Sequence, residues 1–130
     1  MPFKDPVQRF EDIAENICRI EEFTVGMDLN AFMADPKTYD AAERWLERIS
    51  EAAIKLDTVA EDRCPSIPWA LIRGGGNRLR HEYDRIDGVR IWMSVERDLP
   101  PLKTSVRAAL QRHKEAPRRI VGPALILNKQ

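Results

Sequence analysis

Apolar residues recur along this chain at spacings of three and four, which place side chains on one face of an α-helix. A first helix is predicted to begin at Asp5 and Pro6, because an aspartate cap followed by a first-turn proline is a typical helix start. Gly26 is expected to mark its end. The inward stripe of this helix is Phe10, Ile13, Ala14, Ile17 and Ile20.

A second, longer stripe follows the same kind of start at Asp35 and Pro36. Between the two helices, the apolar spacing within residues 29–33 predicts a short helical turn. Residues 57–66 carry no such stripe and are predicted to form a loop. The inward positions of the second helix are Ala42, Trp45, Leu46, Ile49, Ala52, Ala53 and Leu56.

Three further helices are predicted in the second half of the chain. The third covers residues 68–83 and the fourth residues 88–96, while the fifth begins at the Pro-Pro pair after Leu99 and ends before Pro117. The chain shows no internal repeat and no strand-rich region. The pattern therefore predicts an all-α domain over residues 1–116, a bundle of about five helices joined by short loops.

Residues 117–130 form a tail of different character. The tail begins with the basic pair Arg118 and Arg119 and continues with an apolar run from Ile120 to Leu127. Contiguous apolar surface is seldom left in water. We expect the tail to pack on the helical body, on a sister subunit or on a partner.

Composition narrows the class of protein. The chain has 21 basic and 21 acidic residues, a formal net charge of zero and 43% hydrophobic residues. Such a chain does not bind nucleic acid by bulk charge alone, and it is not an acidic disordered tail. Its apolar runs fall short of the roughly 18 residues that a membrane helix needs, and Cys18 and Cys64 match neither a disulfide framework nor zinc-ligand spacing. We expect a cytoplasmic protein without membrane contact.

The segment richest in chemistry is residues 72–85, which contains the successive glycines Gly74, Gly75 and Gly76. A phosphate-binding loop would need a Gly-Lys-Ser/Thr ending or a preceding strand, and the segment has neither. In a helix each glycine costs about 0.8–1 kcal/mol relative to alanine. We therefore expect a close approach to this backbone by another helix, a sister subunit or a ligand, either as tight helix packing or as a functional groove.

One face of this helix is predicted to be basic. Arg73, Asn77 and His81 are spaced four apart and share a face, while Arg78 lies at its edge and Arg85 continues the row. Histidine suits proton transfer at a 2′-hydroxyl or a leaving oxygen, because its pKa lies near neutrality. Arginine suits a phosphate through bidentate contact. The pattern is compatible with RNA cleavage that needs no metal ion or other cofactor.

A structural interpretation of the same residues stays open, in which His81 caps or packs and the arginines pair with nearby acids. The candidate acids are Glu82, Asp84 and Asp87. The acids lie mainly in the first two predicted helices, so zero net charge is compatible with a local basic cleft on a neutral body. Within it, Arg80 and Arg85 are expected to bind RNA. The basic residues concentrated here are Arg73, Arg78, Arg80, His81, Arg85 and Arg90.

These residues resemble the HepT-like branch of the HEPN superfamily. Upstream, residues 49–52 and 67–69 are similar to the family's Ile-Gly-Glu-Ala and Ile-Pro-Trp elements. The resemblance covers nearly the whole chain from residue 9 to residue 110. The residues that carry its motif are Asn77, Arg78, Leu79, His81, Tyr83, Ile86, Asp87, Val89, Trp92, Asp98, Leu99, Pro100 and Leu102.

The resemblance implies an up-and-down helical bundle that forms a homodimer, with the motif helices facing a shared cleft. It implies the metal-independent endoribonuclease activity of a toxin. The implied partner is a nucleotidyltransferase antitoxin of the MntA type, which attaches AMP to a tyrosine. Carried over to this chain, His81 is the catalytic histidine, Tyr83 is the AMP acceptor and Asn77 is the polar residue of the motif.

The chain departs from the family pattern at one position. The motif places an arginine before the histidine with four to six residues between them, and here that arginine position is Gly76. Two alternatives follow. Either Arg73, Arg78 or an arginine of the other subunit supplies the charge, or the protein binds without cleaving. A preorganised charge of this kind is worth about 3–4 kcal/mol of transition-state stabilisation.

Overall fold

The computed structural model describes residues 5–79 and 85–115, and at residues 75–79 and 85–86 it describes the backbone alone. Over these residues every regular element is helical, so the all-α prediction is confirmed. The elements are α1 (Pro6–Thr24), α2 (Leu29–Met33), α3 (Pro36–Leu56), α4 (Thr58–Arg63), α5 (Trp69–Leu79), α6 (Arg85–Met93), a π-helical turn (Ser94–Asp98) and α7 (Leu99–Glu115).

The predicted helix starts are confirmed where aspartate caps were expected. The Asp5 carboxylate accepts a hydrogen bond from the Gln8 amide at 3.2 Å, and Asp35 accepts one from the Thr38 amide at 3.2 Å. A proline stands in the first turn of both α1 and α3, where the amide that it lacks would have had no partner in the helix. Asp28 caps the short helix α2 in the same way.

The core lies where the predicted stripes meet. Helix α3 packs against both α1 and α5, and α7 packs against α1. Phe32 of α2 and Trp92 of α6 join this core with ring centroids 5.1 Å apart. The fully buried side chains are Trp69, Phe10, Phe32, Ile13, Ile17, Ile20, Leu56, Leu102 and Val106.

The loop predicted over residues 57–66 is partly wrong, because Thr58–Arg63 forms the helix α4. Its single turn and a half is too short to show a periodic stripe, and Ala60 alone is buried on the core side. Helix α4 follows directly on α3 through Asp57, whose φ of 52° turns the chain sharply. A corner made by one residue is not visible in apolar spacing.

The second half of the chain agrees with the prediction in outline. Helix α6 starts before the predicted residue 88, and the break expected near Leu99 is a widened π-helical turn that runs straight into α7. The two prolines after Leu99 lie in the first turn of α7, where prolines are tolerated. The third helix begins at Trp69, and its predicted end, like the tail 117–130, lies outside the described residues.

Within the described part of the chain, each helix is too short or too polar to cross a membrane.

Candidate functional site

The candidate site residues fall into three groups. Arg73 is described with its side chain, in the middle of α5. Asn77 and Arg78 on α5, and Arg85 at the start of α6, are described by backbone alone. Arg80, His81 and Tyr83 lie outside the described residues. Of the predicted common face, the structure therefore tests only one relation. Arg73 and Asn77 lie one turn apart on the same helix.

The guanidinium of Arg73 makes four hydrogen bonds. Its Nη1 and Nη2 donate to the two carboxylate oxygens of Glu61 at 2.7 Å and 2.9 Å. Nη2 also donates to the carbonyl of Asp57 at 2.8 Å, and Nε donates to the carbonyl of Ala53 at 3.1 Å. Bidentate contact with a carboxylate is one of the strong pairings of arginine, so the charge of Arg73 is directed at Glu61.

The electrostatics of this pair favour its ionised form. The hydrogen bond from Arg73 holds the pKa of Glu61 below its ordinary value, and the same bond raises the pKa of Arg73. Both groups are therefore charged at neutral pH. Sequence reasoning missed Glu61 because it lies in the segment predicted as a loop, 12 residues from Arg73.

Two further hydrogen bonds hold α5 in place, one at the Arg73 carbonyl and one at Trp69, its first residue. The buried hydroxyl of Ser50, on α3, donates to the carbonyl of Arg73 at 2.9 Å. At the first residue of α5, the indole of Trp69 is buried and donates to the carbonyl of Cys64 at 2.9 Å. Trp69 is thus a core anchor, as its apolar neighbours in the sequence indicate.

On the opposite side of α5, the described residues leave Leu71 and Gly74 uncovered. The side chain of Leu71 is 74% exposed. One turn on, a Cβ added to Gly74 would meet no described heavy atom within 4 Å. For Gly74, close packing against another helix of the same chain, one of the alternatives drawn from the glycine run, finds no support among the described residues. A sister subunit and a ligand are the alternatives that stay as predictions.

An apolar cavity of about 320 Å³ lies beside α5. Its walls come from α3, from the start of α5, from α6 and from the start of α7. The apolar side chains in its lining include Leu46, Ile49, Ile67, Leu71, Ile72, Ile91, Leu99 and Leu102, and the charged ones are Asp87, Arg90 and Asp98.

Two buried carboxyl groups lie where α3 meets α6. Sequence reasoning missed Glu43, whereas it named Asp87 as an acid that could pair with an arginine and as a residue of the family motif. Glu43 is 7% exposed and its Oε2 finds no hydrogen-bond partner among the described residues. Burial, with the nearby negative charges of Asp40, Glu47 and Asp87, raises the pKa of Glu43 to about 7. Asp87 is also buried, with Arg90 at 4.0 Å. The signal for Glu43 was its position between two apolar residues of the stripe, three before Leu46.

Comparison with known proteins places this geometry in context. A family model described as Ribonuclease HepT-like matches residues 13–109, which include all of α5 and α6. A Thermococcus cleftensis protein named "Probable ribonuclease HepT" is 39% identical over 93 residues, covering 72% of this chain and 84% of its own.

Two further relatives carry provisional RNase names. One, from Methanocaldococcus jannaschii, is 34% identical over 95 residues, covering 73% of this chain and 87% of its own. Another, from Caldanaerobacter subterraneus subsp. tengcongensis, is 30% identical over 111 residues, covering 85% of this chain and 99% of its own. No solved structure matches the chain.

Proposed function

Because the chain belongs to the Ribonuclease HepT-like family, we propose that it is an endoribonuclease toxin that cleaves RNA without a metal ion. The observation that carries this proposal is the family match over residues 13–109, since that range contains the whole basic segment 73–85. Relatives matched over most of their own length are named as ribonucleases, which supports RNA as the substrate class.

The proposed chemistry divides between a proton carrier and cations. His81 moves the proton at the 2′-hydroxyl or at the leaving oxygen, because imidazole exchanges protons near neutral pH. Asn77 and Arg78 contact the scissile phosphate, and Arg80 and Arg85 bind the flanking backbone. Arg78 suits the phosphate better than Arg73 does, since the Arg73 guanidinium already makes four hydrogen bonds.

The proposed assembly is a homodimer in which two copies of α5 face one cleft. The exposed Leu71 and the open space at Gly74 support a second copy on this side of the helix. A second copy would also bring a second set of arginines to the RNA. This matters for a chain whose net charge is zero, because only a local concentration of cations can hold the phosphates.

The proposed control is a nucleotidyltransferase antitoxin that modifies Tyr83. The phenol oxygen attacks the α-phosphorus of ATP, a phosphodiester bond forms, pyrophosphate leaves and the phenol proton passes to solvent. An added AMP brings negative charge next to His81 and repels RNA. Mass spectrometry after incubation with such a partner and ATP should find AMP on Tyr83, and an unmodified Tyr83 would remove this part of the proposal.

A second candidate function, a non-catalytic module that docks a nucleotidyltransferase, is favoured by one observation. The arginine position of the family motif is Gly76, and the nearest upstream arginine, Arg73, is bound to Glu61. Such a module would form a stable complex with the partner but would leave RNA intact.

An RNA cleavage assay in the presence of EDTA separates the two candidates. We expect the wild-type chain to cleave and His81→Ala to lose about 10²–10⁴-fold in rate, because a general acid–base group is removed. The matched control is His113→Ala, since His113 is an exposed histidine on α7 and should leave the rate unchanged. Soluble wild-type protein that does not cleave would favour the module, and cleavage that persists in His81→Ala would contradict the assigned role.

A further inference from the structure

We infer that Arg73 is a positioning residue, which clamps α5 to the corner between α3 and α4 and so sets where α5 presents the RNA site. The Arg73 clamp consists of the guanidinium, the Glu61 carboxylate and the carbonyls of Ala53 and Asp57. The phosphate-holding charge then comes from another arginine. This inference rests on the proposed function, because the site that the clamp positions is the proposed RNA site.

The clamp gives a hydrogen-bond donor to a carbonyl group in the last turn of α3. Ala53 lies in the last turn of α3, where carbonyl groups run out of helical partners. The amide of Asp57, which would continue the ladder to Ala53, donates instead to Ile54 at 3.2 Å. Arg73 supplies the missing donor at 3.1 Å and brings a positive charge to the negative end of the helix.

The clamp also holds a strained corner. Asp57 is a non-glycine residue at φ 52° and ψ −138°, a conformation that persists only where the surrounding structure enforces it. Arg73 binds the Asp57 carbonyl, and it binds Glu61 four residues further on. The single guanidinium therefore joins the end of α3, the corner and α4 to α5.

The position of the clamp along α5 explains what it is for. The next three residues are all glycine, which weakens a helix because glycine has the greatest backbone freedom. Arg73 is fixed immediately before them by its side chain, and its carbonyl is fixed by Ser50. Asn77 lies one turn beyond, so its position is set from a rigid point.

The same contacts argue against a phosphate on Arg73. Its side chain is 24% exposed, and a phosphate would have to displace both oxygens of Glu61. A phosphate beside an ionised Glu61 would also meet a like charge. In a cleavage-competent chain, Arg73 therefore acts through α5 and not on the RNA.

The first test measures stability alone. We expect Glu61→Ala to lower the Tm by about 2–4 °C. Arg73→Ala should lower it by about 5–10 °C, because this substitution also leaves the Ala53 carbonyl without a donor and takes one of two donors from the Asp57 carbonyl, which keeps the Ala60 amide. The double variant should fall no further than Arg73→Ala, which is the sign of coupled residues. The matched control is Asp62→Ala, since Asp62 is an exposed acid next to Glu61 on the same helix. Strictly additive losses would overturn the clamp.

The second test measures cleavage and RNA binding. If Arg73 positions α5, Glu61→Ala and Arg73→Ala should both lower kcat by about tenfold or more while KM keeps its wild-type value. The salt dependence of RNA binding should also stay at the wild-type slope, because no phosphate contact is lost. Glu61→Gln, which keeps one acceptor oxygen, should recover part of kcat.

If instead Arg73 holds the phosphate, Arg73→Ala abolishes cleavage and reduces the salt slope by about 0.7, the amount for one phosphate on single-stranded RNA. Glu61→Ala then frees the guanidinium and cleaves at the wild-type rate or faster, and that pair of results would overturn the inference. If the wild-type chain cleaves no RNA, the proposed function is wrong. The stability test alone then decides whether Arg73 clamps α5.

Discussion

Glu43 shows at the residue scale how the fold changes the chemistry of a side chain. A carboxyl group that is 7% exposed and close to other acids is costly to ionise, and its pKa rises to about 7 from 4.5. Between pH 4.5 and about pH 7, Glu43 keeps its proton in the folded chain and loses it in the unfolded chain. The free energy of unfolding therefore falls as pH rises through this interval.

Glu43→Gln should remove that dependence. Below pH 4.5 the variant and the wild type should be about equally stable, because Glu43 is neutral in both states. Above pH 7 the variant should be more stable by about 1–3 kcal/mol, since the wild type then carries a buried charge. Urea unfolding at a series of pH values measures the difference, with the exposed Glu51→Gln as control. Parallel curves for wild type and Glu43→Gln would contradict the assignment.

Side chains that bind the backbone a few residues away could be predicted from the sequence. Side chains that bind a partner on another helix could not. The caps Asp5 and Asp35 bind amides three residues away, so the sequence contains the whole interaction. Arg73 was identified as a functional candidate, but its partner Glu61 lies across a corner that spacing does not encode. The role that we infer for Arg73 therefore required the structure, whereas the roles of His81 and Tyr83 remain predictions.

At the scale of the helix, Gly74 and Gly88 have opposite surroundings. A Cβ on Gly74 would enter open space, whereas a Cβ on Gly88 would lie 2.5 Å from Met33 Sδ and 3.1 Å from Tyr39 Cε2. Gly88 is thus the point where α6 comes close to α2 and α3. The two substitutions should separate helix propensity from close packing.

Gly74→Ala should stabilise the chain by about 0.5–1 kcal/mol, because alanine gains helix propensity without a clash. If the open side of α5 receives RNA or a second copy, the same variant should lower cleavage even though its Tm rises. Thermal unfolding and the cleavage assay on one preparation test both statements. A rise in Tm with unchanged cleavage would mean that nothing approaches Gly74 closely.

Gly88→Val should have the opposite effect on stability, a loss of about 1–3 kcal/mol from overpacking against Met33 and Tyr39. Adding Met33→Ala to this variant should restore part of the lost stability, because the sulfur that clashes is removed. Urea unfolding of the two single variants and the double variant measures the coupling. Equal losses with and without Met33→Ala would show that Met33 does not limit the space.

Long helices were predictable because each repeats its stripe over several turns, as α1 and α3 do. The corner at Asp57 and the short helix α4 were missed, because one residue and six residues hold no period. This omission matters for the site, since the segment that was predicted to be a loop supplies the acid that holds Arg73. The basic face predicted for α5 stays a prediction beyond Arg73, because the side chains of Asn77 and His81 lie outside what the structure describes.

At the scale of the whole molecule, zero net charge bears on how the proposed dimer would bind RNA. One chain offers the RNA only the few arginines that follow the glycine run, and acids elsewhere cancel their charge at long range. Two chains across a cleft would double the local charge without changing the balance. The proposed dimer is therefore the arrangement in which a neutral chain holds RNA most strongly.

Leu71→Glu should test this arrangement, because Leu71 is 74% exposed on the open side of α5. A charge there should convert a particle of twice the 15.0 kDa chain mass into a monomer and lower cleavage, since the shared cleft is lost. The control is Val25→Glu, since Val25 is 80% exposed just after α1 and should leave mass and cleavage unchanged. Sedimentation equilibrium gives the mass in each case. A Leu71→Glu dimer with wild-type cleavage would mean that two chains do not meet at this face of α5.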